Sequence, residues 1–222
     1  MDNFLLKKVK EKYIIDEIYK YIDWDDLSKN VYLPNNFIRL FSHKLNWNLI
    51  SEHQFLSEEI IKDFKNHVNW KKISHFQKLS EDFIREFYKE VDWNYISYFQ
   101  KLSEYFIREF EDKVNWYVIS KKQKISEDFI REFIHKDLNW KYISRNKNLS
   151  IEFIREFEYK INWKSMFHRR GLTEDFIREF HNNVEWHYII INQKLSKKFV
   201  KEFPELEEYL KGFIGIDQNF FD

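Results

Sequence analysis

Adjacent carboxylates at Glu81-Asp82, Glu127-Asp128 and Glu174-Asp175, together with eight histidines, are the side chains in this chain whose types could do chemistry. Paired carboxylates serve general acid–base catalysis, and histidines serve proton transfer or metal ligation. Neither set has the arrangement that such chemistry needs. The carboxylate pairs return at the same place in copy after copy of a repeated unit, whereas an active site is singular. Each pair also follows a Ser or Thr that starts a helix, where acidic side chains complement the positive end of the helix dipole. His75 and His168 stand five residues after a tryptophan and His53 six after, in columns otherwise filled by Lys, Arg, Tyr or Asn, so they read as surface variation. There is no HExxH, no glycine-rich phosphate loop, no GxSxG and no cysteine. The expectation is a protein that is not an enzyme and that uses no cofactor and no metal.

An arginine column offers a second kind of chemistry. Arg39, Arg85, Arg108, Arg131, Arg155 and Arg178, completed by Lys62 and Lys201, lie beside a mostly acidic column that includes Asp63, Glu86, Glu109 and Glu132. One reading is a salt-bridge ladder along stacked helices, helped by Glu at i−4 as in Glu81 to Arg85. The other is a ridge that tracks phosphates, as in repeat proteins that read one base per unit. The neighbouring glutamates oppose the second. So does the balance of 37 basic against 37 acidic residues, which gives no electrostatic reason to expect nucleic acid or an anionic membrane.

The elements that position these columns follow from one sentence, LSEDFIREFYKEVDWNYISYFQK, Leu79 to Lys101. Ser80 caps a helix whose first turn holds Glu81 and Asp82, with Leu79 placed to pack back on Ile84. Phe83, Ile84, Phe87 and Val91 form one apolar stripe at a period of 3.6 residues. A long helix is expected from there to Val91. Asp92 then caps a second helix, of barely two turns, on which Trp93 and Ile96 face inward. The sentence recurs eight times, counted by Trp24, Trp47, Trp70, Trp93, Trp116, Trp140, Trp163 and Trp186, at a spacing of 23 with a single 24 before Trp140. The extra residue falls in the turn between helices, where insertion costs little. Gln54, Gln77, Gln100, Gln123 and Gln193 recur at the turn between repeats, where side-chain amides bonding turn backbone account for them. One unit buries too little apolar surface to offset its own ordering entropy, so the copies must stack. The fold class is all-α: an α-solenoid of eight 23-residue two-helix repeats over residues 24–203, an N-terminal capping helix over 1–23, and a C-terminal cap and tail over 204–222. Trp93→Ala is expected to cost about 3 to 5 kcal/mol as a core truncation, and Arg85→Ala little.

The pattern LSEDFIREFxxKVNWxxISxxQK, as written in Leu79–Lys101 and Leu102–Lys124, resembles the short tandem repeats of uncharacterised proteins of giant DNA viruses of amoebae, the mimivirus-like group. The resemblance covers Trp24 to Phe203. It implies a viral origin and a repeat class, and it carries no activity and no site residue with it. Repeat 7 departs from the pattern, with Met166-Phe167-His168-Arg169-Arg170-Gly171 in place of the Ile-Ser and Gln-Lys positions.

Because recurring positions are explained by capping, core and salt bridges, function is sought where the copies differ. The second helices and the turns after them vary most, and the central copies place aromatics there. His75, Phe76, Tyr95, Tyr98, Phe99 and Tyr117 are the candidate partner-binding residues, with His168, Arg169 and Arg170 as the second choice. Exposed aromatics are enriched at interfaces; packing of Phe76 and Phe99 between adjacent turns is the alternative. The expected function is a scaffold for a protein partner, viral or host. Nucleic acid along the arginine column and self-assembly, for which the apolar Phe220-Phe221 end speaks, are the other readings. The charged N-terminus and the absence of cysteine and of any long apolar run point to an intracellular protein that is neither secreted nor in a membrane.

Overall fold

The computed structural model describes residues 19–213, and their regular structure is helical throughout. Two compact units divide the chain, Met1–Asn115 and Trp116–Asp222. The first contains α1 (Trp24–Asn30), α2 (Asn35–Leu40), α3 (Trp47–His53), α4 (Glu58–Asp63), α5 (Trp70–Phe76), α6 (Glu81–Glu86), α7 (Trp93–Phe99) and α8 (Glu104–Glu109). The second contains α9 (Trp116–Lys122), α10 (Glu127–Glu132), α11 (Trp140–Ile143), α12 (Ile151–Glu156), α13 (Trp163–Phe167), α14 (Glu174–Glu179), α15 (Trp186–Asn192), α16 (Lys197–Glu202) and α17 (Pro204–Phe213). Each Trp-led helix of the first unit packs on the next, α1 on α3, α3 on α5 and α5 on α7, and the second unit repeats this with α9 on α11 and α13 on α15. The chain is an α-solenoid of two-helix repeats.

The caps are the ones the residue types dictate. Ser57, Ser80, Ser103, Ser126, Ser150, Thr173 and Ser196 each accept the third amide of their helix, Ser80 Oγ from Phe83 N–H at 3.1 Å. Phe83, Ile84, Phe87, Val91 and Ile96 are all buried. The helix lengths correct the sequence-based expectation, because the Ser-led helices have six residues and the full Trp-led helices seven. Phe87 leaves helical geometry at φ −114° and ψ 31°. One further turn, closed by Val91 N–H to Phe87 O at 3.2 Å, follows. The next helical bond would join Asp92 N–H to Tyr88 O, and two side chains divert it. Ser74 Oγ of the preceding repeat takes Asp92 N–H at 2.9 Å, and the Trp93 indole N–H takes Tyr88 O at 2.9 Å.

That serine belongs to a recurring device. Ser28, Ser51, Ser74 and Ser97 are buried, donate to the Trp carbonyl four residues back, and accept the backbone N–H of the residue capping the next Trp-led helix. Ser120 and Ser144 repeat the arrangement in the second unit. Glutamine makes the reverse connection. Gln77 accepts Leu56 N–H at 3.0 Å and donates to Ser51 O at 3.0 Å and Gln54 O at 2.8 Å, all in the preceding repeat. Gln54 and Gln100 do the same one repeat earlier and later. The glutamines therefore bond turn backbone as expected, and they do so across the repeat boundary.

The extra residue before Trp140 lies in the turn between α10 and α11, again as expected. Of the N-terminal cap expected over 1–23, residues 19–23 are described: Tyr19 packs its ring 5.3 Å from Phe41, but the helix has ended by the turn at 20–21, where Tyr21 is exposed; the rest of that cap, and Phe220 and Phe221, lie outside the described residues. Pro204 opens α17 at its first position, where a missing N–H costs nothing, and Leu206 and Leu210 are buried.

Candidate functional site

The second-helix positions singled out in the central repeats converge in the first unit. His75, at the end of α5, lies parallel to the Tyr95 ring of α7 at 4.7 Å and 4.2 Å from Phe99, and it touches its neighbour Phe76 at 3.9 Å. Tyr98 packs on Phe99 at 4.6 Å. The 23-residue period places equivalent residues of consecutive repeats beside each other, and here it builds one five-ring cluster. Phe76 is 47% exposed and Phe99 46%, so contact between repeats has not removed them from water. Below them an open cleft of about 580 Å³ is lined by His75, Phe76 and Phe99 together with Lys78, Glu81 and Lys101. Tyr117 belongs to the second unit, where it is exposed. The sequence reading passed over two further exposed rings, Tyr32 and Phe55. Their signal is visible in the sequence, since they occupy the turn column that holds Lys78 and Lys101 in later copies.

The second-choice trio does not form one surface. His168 packs against Tyr188 at 4.4 Å and Arg170 is exposed, but Arg169 turns inward, donating to Met166 Sδ at 2.8 Å and to Lys147 O at 3.2 Å. The cause is the missing glutamine. Arg170 stands in the Gln column, and the adjacent Arg169 supplies the bond to the previous turn that a Gln amide makes elsewhere. A guanidinium has no acceptor to offer. Its Nε is buried without a partner, and burial lowers the Arg169 pKa from its ordinary value. Phe167 likewise fills the serine column, 1% exposed and 5.5 Å from Trp163. Here α13 has five residues, and the turn after it holds Gly171 at φ +82°.

The arginine column forms the ladder that its glutamate neighbours foretold, and its rungs join successive repeats. Arg39 meets Asp63 at 2.8 Å, Lys62 meets Glu86 at 2.5 Å and Arg85 meets Glu109 at 2.7 Å. In the second unit Arg131 meets Glu156 at 2.8 Å, Arg155 meets Glu179, and Arg178 meets Glu202 at 2.7 Å. First-turn acids are engaged as well: Ser103 Oγ donates to Glu81 of the previous repeat at 3.0 Å, and Arg85 reaches Asp82 at 2.8 Å.

Hydrogen bonds from Arg155 and Arg178 hold Glu179 and Glu202 below the ordinary carboxylate range. A depressed folded-state pKa contributes stability that is present above the unfolded value and lost as pH falls through the folded one, so the ladder weakens only in acid. The pairs are exposed and screened, and Arg85→Ala should lower the melting temperature much less than truncation of a buried ring. The loss from Arg85→Ala should shrink further when the melts are repeated in high salt.

Among the described residues no three His, Asp or Glu side chains converge as a metal site, and no helix is long and apolar enough to cross a membrane. No family model, curated protein or solved structure matches this chain.

Proposed function

We propose that this chain is a non-enzymatic helical-repeat scaffold that holds a protein partner against the aromatic cluster of its first unit. The observation that carries the reading is the gathering of His75, Phe76, Tyr95, Tyr98 and Phe99 into one half-exposed patch above a cleft, at positions where the repeats differ. Large rings already held by their neighbours lose little side-chain entropy on binding and act as anchors. The arginine ladder gives no support to a nucleic-acid ridge, because its guanidinium groups in both units are engaged by carboxylates of adjacent repeats. The repeat resemblance extends the proposal to a giant-virus protein that acts in the host cytoplasm or in the virion.

The test is the double variant Tyr98→Ala with Phe99→Ala, compared with the unaltered chain in affinity capture from infected cells. With anchors worth roughly 2 kcal/mol each, partner affinity should fall by two orders of magnitude or more, while the helical circular dichroism is retained. Captured proteins that remain in full, or a loss of thermal stability equal to that of a core truncation, would remove the patch from consideration.

A further inference from the structure

We infer that the second unit carries a sequence-independent site for the phosphate backbone of a nucleic acid, formed by the turns that follow its Trp-led helices. Segments 121–124, 145–148, 168–171 and 191–194 are these turns with the helix ends that lead into them. They hold eight Lys or Arg and no Asp or Glu. The equivalent segments of the first unit, 29–32, 52–55, 75–78 and 98–101, hold three Lys and one Glu. The overall neutrality of the chain therefore conceals a local excess.

Two facts keep that excess in place. Lys124, Lys147, Arg170 and Lys194 are exposed, and among the described residues they make no ion pair. The acids that follow them in sequence are already engaged. Glu127 accepts Ser150 Oγ at 2.8 Å, Asp128 meets Arg131 at 2.8 Å, Glu174 accepts Ser196 Oγ at 3.1 Å, and Asp175 meets Arg178. The helix dipole accounts for Lys121 and Lys122 in the last turn of α9, but its influence ends there, and Lys147 and Arg170 lie beyond the ends of α11 and α13.

The form of the patch selects the ligand. Protein interfaces are depleted of Lys and are built on apolar anchors, and the four segments contain one apolar side chain, Ile191. What they offer instead is cations interleaved with an aromatic ring. Lys121 Nζ lies 4.9 Å and the Arg145 guanidinium 5.5 Å from the centre of the Tyr142 ring, beside a cleft of about 240 Å³ whose rim includes Lys124 and Asn146. One such turn follows each Trp-led helix of the unit, so a cation recurs once in every repeat. Cations that recur with the repeat, beside an aromatic ring, fit a strand of regularly spaced charges.

Fluorescence anisotropy of the full chain with a labelled mixed-sequence single-stranded DNA, and with the matching duplex, tests this between about 50 and 200 mM salt. Binding to at least one of them is expected at the low end. Four phosphate contacts on a single strand should make log K fall against log salt with a slope near −3, at roughly 0.7 per contact. Replacing all four cations, Lys124→Gln with Lys147→Gln, Arg170→Gln and Lys194→Gln, should abolish the salt-dependent binding. Lys147→Gln alone should reduce the slope by about 0.7, which keeps the test decisive if the fourfold variant misfolds. The ladder variant Arg155→Gln should leave the slope unchanged. Absence of binding at about 50 mM salt, a slope that survives the fourfold variant, or equal displacement by polyglutamate, which would assign the edge to an acidic protein, would each overturn the proposal.

Discussion

Gln77→Ala should destabilise the first unit by about 3 kcal/mol or more, although the residue carries no charge and contributes no apolar surface. Its amide meets three backbone groups of the preceding repeat, Leu56 N–H, Ser51 O and Gln54 O, and the side chain is 5% exposed, so water cannot replace it. A buried backbone group that loses its partner costs about 1 to 3 kcal/mol, and three are orphaned together. Gln77→Glu should be worse. A carboxylate can still accept from Leu56 N–H, yet it offers no donor to the two carbonyls and brings a charge into a buried site. Urea unfolding measures the loss, and amide exchange at Leu56 locates it. A cost below about 1 kcal/mol for Gln77→Ala would mean that the repeats are held by apolar packing alone.

The second large effect should come from Phe106→Ala, at about 3 to 5 kcal/mol, and it should exceed that of Trp93→Ala. Judged from sequence, tryptophan looks like the centre of each unit. In the structure Trp93 is half-buried, lying against Phe110 at 4.9 Å and Phe106 at 6.2 Å, and its clearest polar role is the bond that closes the preceding turn. Phe106 is wholly buried, with Phe110 on one side and the Arg85 guanidinium 5.1 Å from its ring centre. Truncating it leaves a cavity that neighbouring repeats can close only by shifting. Paired thermal melts of the two variants decide the order, and a greater loss from Trp93→Ala would show that the indole bond outweighs the buried ring.

Features that depend on a single repeat were legible in the sequence. Helix starts could be placed from Ser80 or Asp92 because a cap is a local bond to an amide two or three residues on, and the stripe of Phe83, Ile84 and Phe87 could be read because burial follows the helical period. Features that depend on two repeats were legible only in part. The arginine rungs showed because opposite charges stood in adjacent columns. The serine connection did not, since Ser74 bonds locally to Trp70 O, and its second partner, Asp92 N–H, is a backbone group that no residue type marks. The same bond ends the turn after Phe87, so the helix lengths were misjudged for the same reason. At the candidate site the period was enough to bring His75, Tyr95 and Phe99 together. Arg169 was placed on the surface because the consequence of losing a glutamine could not be seen until its role was known.

The glutamine and serine connections also order events in time. In the first unit the turn of each repeat keeps two carbonyls and one N–H unsatisfied until the glutamine of the following repeat arrives, as Gln77 completes Leu56 and Gln100 completes Leu79. On a ribosome, which extends a chain by about 5 to 20 residues per second, the 23 residues that finish a repeat take a few seconds to appear. Helices and turns form within microseconds, so every emerging segment docks long before the next is made. Growth is then a zipper running in the direction of synthesis, with one incomplete segment at its tip. A chain so rich in buried phenylalanine thereby exposes little of it at any moment, and a stalled or truncated product is left with a single open end.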